Sequence, residues 1–473
     1  MVRPVAVTAW RGRRLLVAAS VVLLLLATGV FVIELTRSFS EDEPLARREP
    51  RPGTGGGASG VAGMLEHLRA LQRIADRHGG NRAAGTPGDH ASGRYVGERL
   101  RRAGYRVRLQ SVRFPYFAER SRPELTFRPG SGARLGQVRT LYYSGGGRVT
   151  APLQPLAVTP DAGCERDDFA GFPRGRIAVI QRGTCTLREK VVRARRAGAA
   201  GAIVFNDGAP GRTGTIAGTL GRPGAGTPAV FVGSRTGRAL VAADGRRLRV
   251  AVDAASETRT TRNVLAESGG GGQHIVMAGA HLDSVDDGPG INDNGSGVAA
   301  VLEAAETLAG RGAPRRRLRF AFWGAEEVGL VGSRRYVRGL SQRERSRIAA
   351  YLNLDMVGSP NGGRFVYGGT SGRVEALLRR SLAARGVRVE RRGGLGGGSD
   401  QAPFERAGVP VGGLFSGAAR IKTRVEQRAW GGRAGRPFDR CYHRACDDLG
   451  NIDRRALAEL GMAAVSALRR LSR

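Results

Sequence analysis

Two histidines and several carboxylates of this chain fall at the ends of apolar runs. The first group lies in residues 281–297, His-Leu-Asp-Ser-Val-Asp-Asp-Gly-Pro-Gly-Ile-Asn-Asp-Asn-Gly-Ser-Gly. An apolar run (275–280) precedes it and a helix-like run (298–305) follows, so it reads as a long loop between a buried strand and a helix. The second group is Glu326-Glu327, after an apolar strand at 318–323. Adjacent like charges repel unless a cation or a shared proton compensates. One of the pair can bind a metal while the other stays free as a base. A third group is Asp355, ending the strand-like run 349–356. The last is His443, the only histidine after position 281, inside Cys441-Tyr442-His443-Arg444-Ala445-Cys446. Histidine with carboxylate suits zinc. Two His, a bridging Asp and two further carboxylates suit a pair of zinc ions about 3.5 to 4 Å apart.

Such groups need strand ends that converge. Strands alternating with helices predict an α/β fold whose mixed, largely parallel sheet is flanked by helices, and such sheets bind ligands at the carboxyl ends of their strands. Ahead of it, helical spacing begins at Met64 and again at about 91–103, with a Gly-rich break at 79–88 and a strand at 105–114. His67, His78 and His90 read as surface or loop residues. Residues 140–255 change texture to short strands and turns around one helix, a small β-rich insert. At the N-terminus, Arg3, Arg11, Arg13 and Arg14 precede nineteen uncharged residues (15–33), about 28 Å as a helix. This predicts a membrane anchor with everything after it outside; a cleaved signal peptide ending near Ala27-Thr28-Gly29 is the alternative. The expected division is 1–35 anchor or signal segment, 36–62 flexible linker, 63–139 first part of the main domain, 140–255 insert, and 256–473 the remainder.

The formal charge of +35 comes almost wholly from arginine, since only Lys190 and Lys422 are lysines. The arginines are scattered, with no zinc-finger or aromatic RNA-binding pattern beside them, so no specific nucleic-acid partner is expected. The cysteines fall in two pairs, Cys164 with Cys185 and Cys441 with Cys446, neither with CxxC spacing. Export favours two local disulfides; four reduced core cysteines are the alternative.

Within the insert, Arg176-Ile177-Ala178-Val179-Ile180, Arg182-Gly183-Thr184-Cys185 and residues 198–206 resemble the protease-associated domain found within several exopeptidase families. Outside it the chain resembles zinc aminopeptidases of peptidase family M28, and among them secreted bacterial leucine-type enzymes. The segments are Gly279-Ala280-His281-Leu282-Asp283-Ser284, Gly290-Ile291-Asn292-Asp293-Asn294-Gly295-Ser296-Gly297, Trp323-Gly324-Ala325-Glu326-Glu327, Asn353-Leu354-Asp355-Met356, Val409-Pro410-Val411-Gly412-Gly413-Leu414-Phe415 and Asp439-Arg440-Cys441-Tyr442-His443. The resemblance implies the zinc exopeptidase fold and two zinc ions per chain. His281 and Asp355 would hold one, Glu327 and His443 the other, and Asp293 would bridge. It implies Glu326 as general base, Asp283 orienting the ring of His281, and Tyr442 donating to the developing oxyanion. Substrates would be peptides with a free N-terminus and a large apolar first residue, and a monomer is expected. Two positions depart from the pattern: Gln401 stands where the family has His after Ser-Asp, and Gly398 where near relatives carry Arg. The sequon Asn294-Gly295-Ser296 falls in the metal loop and reads as chance. Asp286 and Asp287 read as solvated. Rival readings are a carboxypeptidase or glutaminyl cyclase on the same scaffold, a metal-free binding protein, and a non-catalytic binder of anionic surfaces.

Overall fold

A computed structural model describes residues 60–127, 135–309, 314–369, 372–391 and 398–473. The expected anchor at 15–33 and the linker up to residue 59 lie outside them. Among the described residues no helix is long and apolar enough to cross a membrane.

The chain opens with α1 (Val61–Arg77) and α2 (Pro87–Arg102). The second helix starts earlier than its apolar spacing suggested, because Thr86 caps it by accepting from Asp89 N and Pro87 occupies the first turn. The buried face of α1 carries Met64, His67, Leu68, Leu71 and Ala75. His67 therefore does not sit at the surface as expected: its i, i+3, i+4 spacing from the apolar residues puts it inside. His90 is exposed and His78 partly so.

Strand β1 (Arg106–Thr126) continues twelve residues past the predicted end at Phe114. Among the described residues β1 pairs with β7 (Arg247–Glu267) alone, and an edge strand of this kind accommodates Pro115. Between these two long strands lies the insert: β2 (Val138–Thr140), β3 (Gly147–Pro155), β4 (Ile177–Gln181), α3 (Leu187–Arg196), β5 (Gly201–Phe205), β6 (Ala229–Val232) and α4 (Ser234–Val241). Strands β3 to β6 run parallel and β2 antiparallel to β6. Every residue of β4, β5 and β6 is buried, as expected of apolar runs in a parallel sheet. Strand β7 also pairs with β3, so residue 255, where the sequence suggested a boundary, falls in mid-strand.

The main sheet continues with β8 (Gly272–His281), α5 (Gly297–Ala309), β9 (Arg316–Trp323), α6 (Val331–Arg338), α7 (Gln342–Arg347) and β10 (Ile348–Leu354). Then come β11 (Phe365–Gly368), α8 (Arg373–Ala383), β12 (Glu390–Arg391), α9 (Gln401–Arg406), β13 (Val411–Phe415), α10 (Arg424–Trp430) and α11 (Arg454–Leu471). The order β12-β11-β13-β10-β8-β9-β7 places β13, β10, β8 and β9 parallel to one another at the centre. The core on one face packs α1, α2, α5, α8 and α11 on the sheet; the other holds Trp323, Tyr336, Tyr351 and Phe404. All four cysteines pair as expected, Cys164 with Cys185 and Cys441 with Cys446.

Candidate functional site

The parallel centre of the sheet sends three successive strand ends to one edge. Strand β8 ends at His281, β9 leads into Glu326 and Glu327, and β10 leads into Asp355. The turn 290–297 carries Asp293 back to His281, and the loop 441–446, clipped by its disulfide, brings His443. His281 Nε2 lies 3.2 Å from Asp293 Oδ1 and 3.5 Å from Asp355 Oδ1. His443 Nε2 lies 3.2 Å from Asp293 Oδ2 and 3.1 Å from Glu327 Oε2. The two oxygens of Asp293 thus face one histidine each. Glu326 completes a second group with His281 and Asp355.

The electrostatics say what such a cluster lacks. Burial pushes the Glu327 carboxyl up to about 7 and Glu326 well above the usual range. Against the lowering effect of burial, hydrogen bonds to Asp293 and Glu327 push His443 up to about 10. Burial would raise Asp293, but hydrogen bonds to His281 and His443 pull it below the carboxylate range. Without other positive charge the imidazoles must hold protons to offset the acids. Even so, Glu327 Oε1 and Asp355 Oδ1 are buried with no hydrogen-bond partner among the described residues. Buried, clustered acceptors of this kind fit divalent cations held by His and carboxylate.

The supporting contacts are specific. The Asp283 carboxylate, fully buried, accepts from the main-chain N–H of Glu326 (3.1 Å) and Glu327 (3.3 Å). His281 Nδ1 lies 3.0 Å from the Asp283 carbonyl and 3.9 Å from its carboxylate. Asp283 therefore meets the ring through its main chain, while its side chain holds the glutamate turn. Tyr442 stacks on His443 at 3.8 Å, and burial, followed by the nearby carboxylates, keeps its hydroxyl protonated. Asp286 and Asp287 are exposed, Asp286 accepting from Tyr116 Oη at 3.0 Å. Asn294 is fully buried, bonding Leu354 O, Gly297 N and Met356 N, and is no glycan acceptor.

Three supporting residues had no role assigned from the sequence, Ser399 among them although it stands in the family's Ser-Asp pair. Asp447 accepts from Asn292 N and Asp293 N, each at 2.9 Å, and from Asn451 Nδ2 at 2.9 Å. Ser399 Oγ donates to Asp355 Oδ2 at 2.6 Å. Arg82, with no exposed surface, donates to the carbonyls of Leu282, Pro289 (2.9 Å) and Gly290 (2.6 Å), fastening both ends of the loop after His281. One arginine among so many gives no warning, and its partners are carbonyls of no particular residue type. Gln401, the departure from the family pattern, is buried; its Oε1 accepts from Asn353 Nδ2, which also donates to Ser399 Oγ. It stands in the layer behind Asp355. Gly398 instead lines the cavity of about 150 Å³ over the cluster, with Met356, Phe415, Ala418 and Tyr442 as its apolar wall.

Residues 263–468 match the family model "Peptidase family M28", and residues 149–240 match "PA domain". An aminopeptidase of Pseudomonas aeruginosa is 41% identical over 427 residues, covering 84% of this chain and 78% of its own. A probable lipoprotein aminopeptidase of Mycobacterium tuberculosis is 38% identical, covering 86% and 83%. Among solved structures, an aminopeptidase from Aneurinibacillus sp. strain AM-1 superposes with a TM-score of 0.57 at 28% identity, over 87% of this chain and 94% of that one. A zinc aminopeptidase from Bacillus subtilis gives a TM-score of 0.57 at 26% identity, over 86% and 95%.

Proposed function

From a chain that belongs to peptidase family M28, a zinc metallo-aminopeptidase with an inserted PA domain, we propose a finer reading: an exported dizinc enzyme that removes large apolar residues from peptide N-termini. The observation that carries it is Asp293, whose two oxygens each lie 3.2 Å from a different histidine. In this reading His281 and Asp355 would hold one zinc and Glu327 and His443 the other, with Asp293 shared between them. Zinc bound there would supply the positive charge that makes a water more acidic and polarises the scissile carbonyl. Glu326 takes the proton of the attacking water and delivers it to the departing amine; desolvation, which raises its proton affinity, suits a residue that must do both. Tyr442, protonated throughout the working range, donates its O–H to the oxyanion that forms. Met356, Phe415, Ala418 and Tyr442 receive an apolar first side chain, and carboxylates left over at the cluster draw the substrate's free α-amine.

Export is supported by the two disulfides, by the apolar N-terminal run and by the lipoprotein relative. The expected form is a monomer held at the outer face of the membrane by its apolar N-terminal segment, residues 15–33. The test measures metal content and hydrolysis of leucine anilide by the ectodomain and its Glu326→Ala variant. Two zincs per chain, loss of turnover in the variant with metal retained, and loss of hydrolysis on N-acetylation of the substrate are expected. An equally active Glu326→Ala enzyme would sink the mechanism.

A further inference from the structure

Among the described residues, one other place brings three metal-competent side chains together. His67, Glu303 and Glu306 each offer an atom within 4.8 Å of the other two, and none belongs to the cluster at the strand ends. His67 is on α1 and the two glutamates, nearly a turn apart, are on α5; α2 adds Tyr95 and Arg99. His67 has no exposed surface and Glu303 is 3% exposed.

Tyr95 Oη lies 2.8 Å from His67 Nδ1. The other nitrogen, Nε2, is buried without a hydrogen-bond partner and points toward Glu306, whose Oε2 is 3.7 Å away. Leaving such a group unsatisfied costs about 1–3 kcal/mol. Arg99 forks onto Glu306 at 2.7 and 2.8 Å and reaches Glu66 at 2.7 Å. Glu303 Oε1 accepts from Gly60 N at 2.6 Å and Thr307 Oγ1 at 3.1 Å, and makes no ion pair among the described residues. The buried Glu303, whose carboxyl burial pushes up, and Glu306 face a single guanidinium, an excess of acceptors that a divalent cation would satisfy. Burial holds His67 down to about 4, so the imidazole is neutral, and neutral imidazole is the form that ligates.

We propose that His67 Nε2, Glu303 and Glu306 form a structural site for a divalent first-row cation such as zinc, tying α1 to α5. One His with two carboxylates is a zinc-type donor set. The 3.7 Å between Nε2 and Oε2 is close to the 3.1–3.5 Å separating histidines from carboxylates in the catalytic cluster. Tyr95 Oη, 2.8 Å from Nδ1, can accept its N–H and fix the ring from behind, the place a carboxylate or carbonyl takes behind other ligating imidazoles. The site lies in the helical layer over the sheet, so it stabilises the fold and takes no part in hydrolysis.

The test separates this cation from the catalytic ones. In full-length protein carrying His281→Ala and His443→Ala, one zinc per chain should remain by mass spectrometry after dialysis, and adding His67→Gln should remove it. With the catalytic histidines intact, His67→Gln should lower zinc content by one equivalent and keep peptidase activity. Tyr95→Phe should keep the stoichiometry and weaken binding about 10-fold. Equal zinc content with and without His67 overturns the proposal. Anomalous scattering at the zinc edge, from wild-type crystals grown with zinc, needs no variant: density between His67 and Glu306 supports the site, and none there overturns it.

Discussion

Replacing Asp447 by Asn changes neither size nor shape but removes one acceptor oxygen. In the wild type Oδ1 receives Asn292 N–H and Asn451 Nδ2, and Oδ2 receives Asp293 N–H, all at 2.9 Å. Turning the new amide over does not help, because in either orientation its NH₂ meets at least one main-chain N–H. Asp447 is 1% exposed, so water does not repair the loss. A buried donor left without an acceptor costs about 1–3 kcal/mol, and 2 kcal/mol corresponds to roughly 30-fold in an equilibrium constant. That cost falls on the segment that presents Asp293. The expected outcome is a zinc dissociation constant raised about 30-fold, measured by competition with a chromophoric chelator, with kcat falling at limiting zinc and KM changed less than about 3-fold. If zinc affinity stays within twofold of wild type while thermal stability falls by the full cost, Asp447 only props the fold and the reasoning fails.

Ser399→Ala removes the 2.6 Å donor to Asp355 Oδ2, and zinc affinity should fall about 10- to 100-fold with the apo-protein's melting little changed, by the same chelator assay and calorimetry. The disulfides should separate stability from activity. Their sequence separations of 21 and 5 predict about 3 kcal/mol for Cys164–Cys185 and about 2 kcal/mol for Cys441–Cys446 by the loop-entropy relation. Yet the Cys446→Ser enzyme, with His443 unclipped, should lose far more turnover than Cys185→Ser; equal losses would contradict this. Burial lowers Lys190, and burial with Arg364 lowers Lys422 to about 8 from 10.5. Between those pH values the unfolded chain holds a proton that the folded chain has shed, so stability should rise with pH across the window. As these are the only lysines, denaturant titrations of Lys422→Met should show a clearly flatter slope there.

The clustered groups His281, Glu326, Glu327 and Asp355 were legible because each follows an apolar strand and the β/α alternation brings such ends together; their expected roles, and the place of Asp293, came from the family resemblance. What stayed hidden depends on where the main chain goes. Arg82 and Asp447 bond backbone groups, which carry no side-chain signature, and Ser399, though part of the family's Ser-Asp pair, gave no sign that it bonds Asp355. His67 was misplaced although α1's own periodicity assigns it to the inner face; the habit of treating lone histidines as surface residues outweighed four apolar neighbours at helical spacing. The run of β1 beyond Phe114 was not legible, because pairing with one neighbour cannot be read from the strand itself.

Strands β1 and β7 align Arg106 with Glu267 at one end and Thr126 with Arg249 at the other. Bringing Thr126 to Arg249 in an open chain closes a loop of more than 120 residues, a cost that rises with loop length and must be met before the contacts return anything. The insert changes that arithmetic. Its strand β3 holds Gly147 against Val252, so once the insert has folded only a short tether separates the β1 end from its β7 partner. Pairing can then run zipper-like from Thr126 toward Arg106 and present a ready-made edge, residues 264–267, for β9 to join. On this topology the insert is expected to fold ahead of the β1–β7 ladder, so a chain in which a short linker replaces residues 140–246, leaving β7 whole, should lose refolding yield while every residue facing substrate is retained.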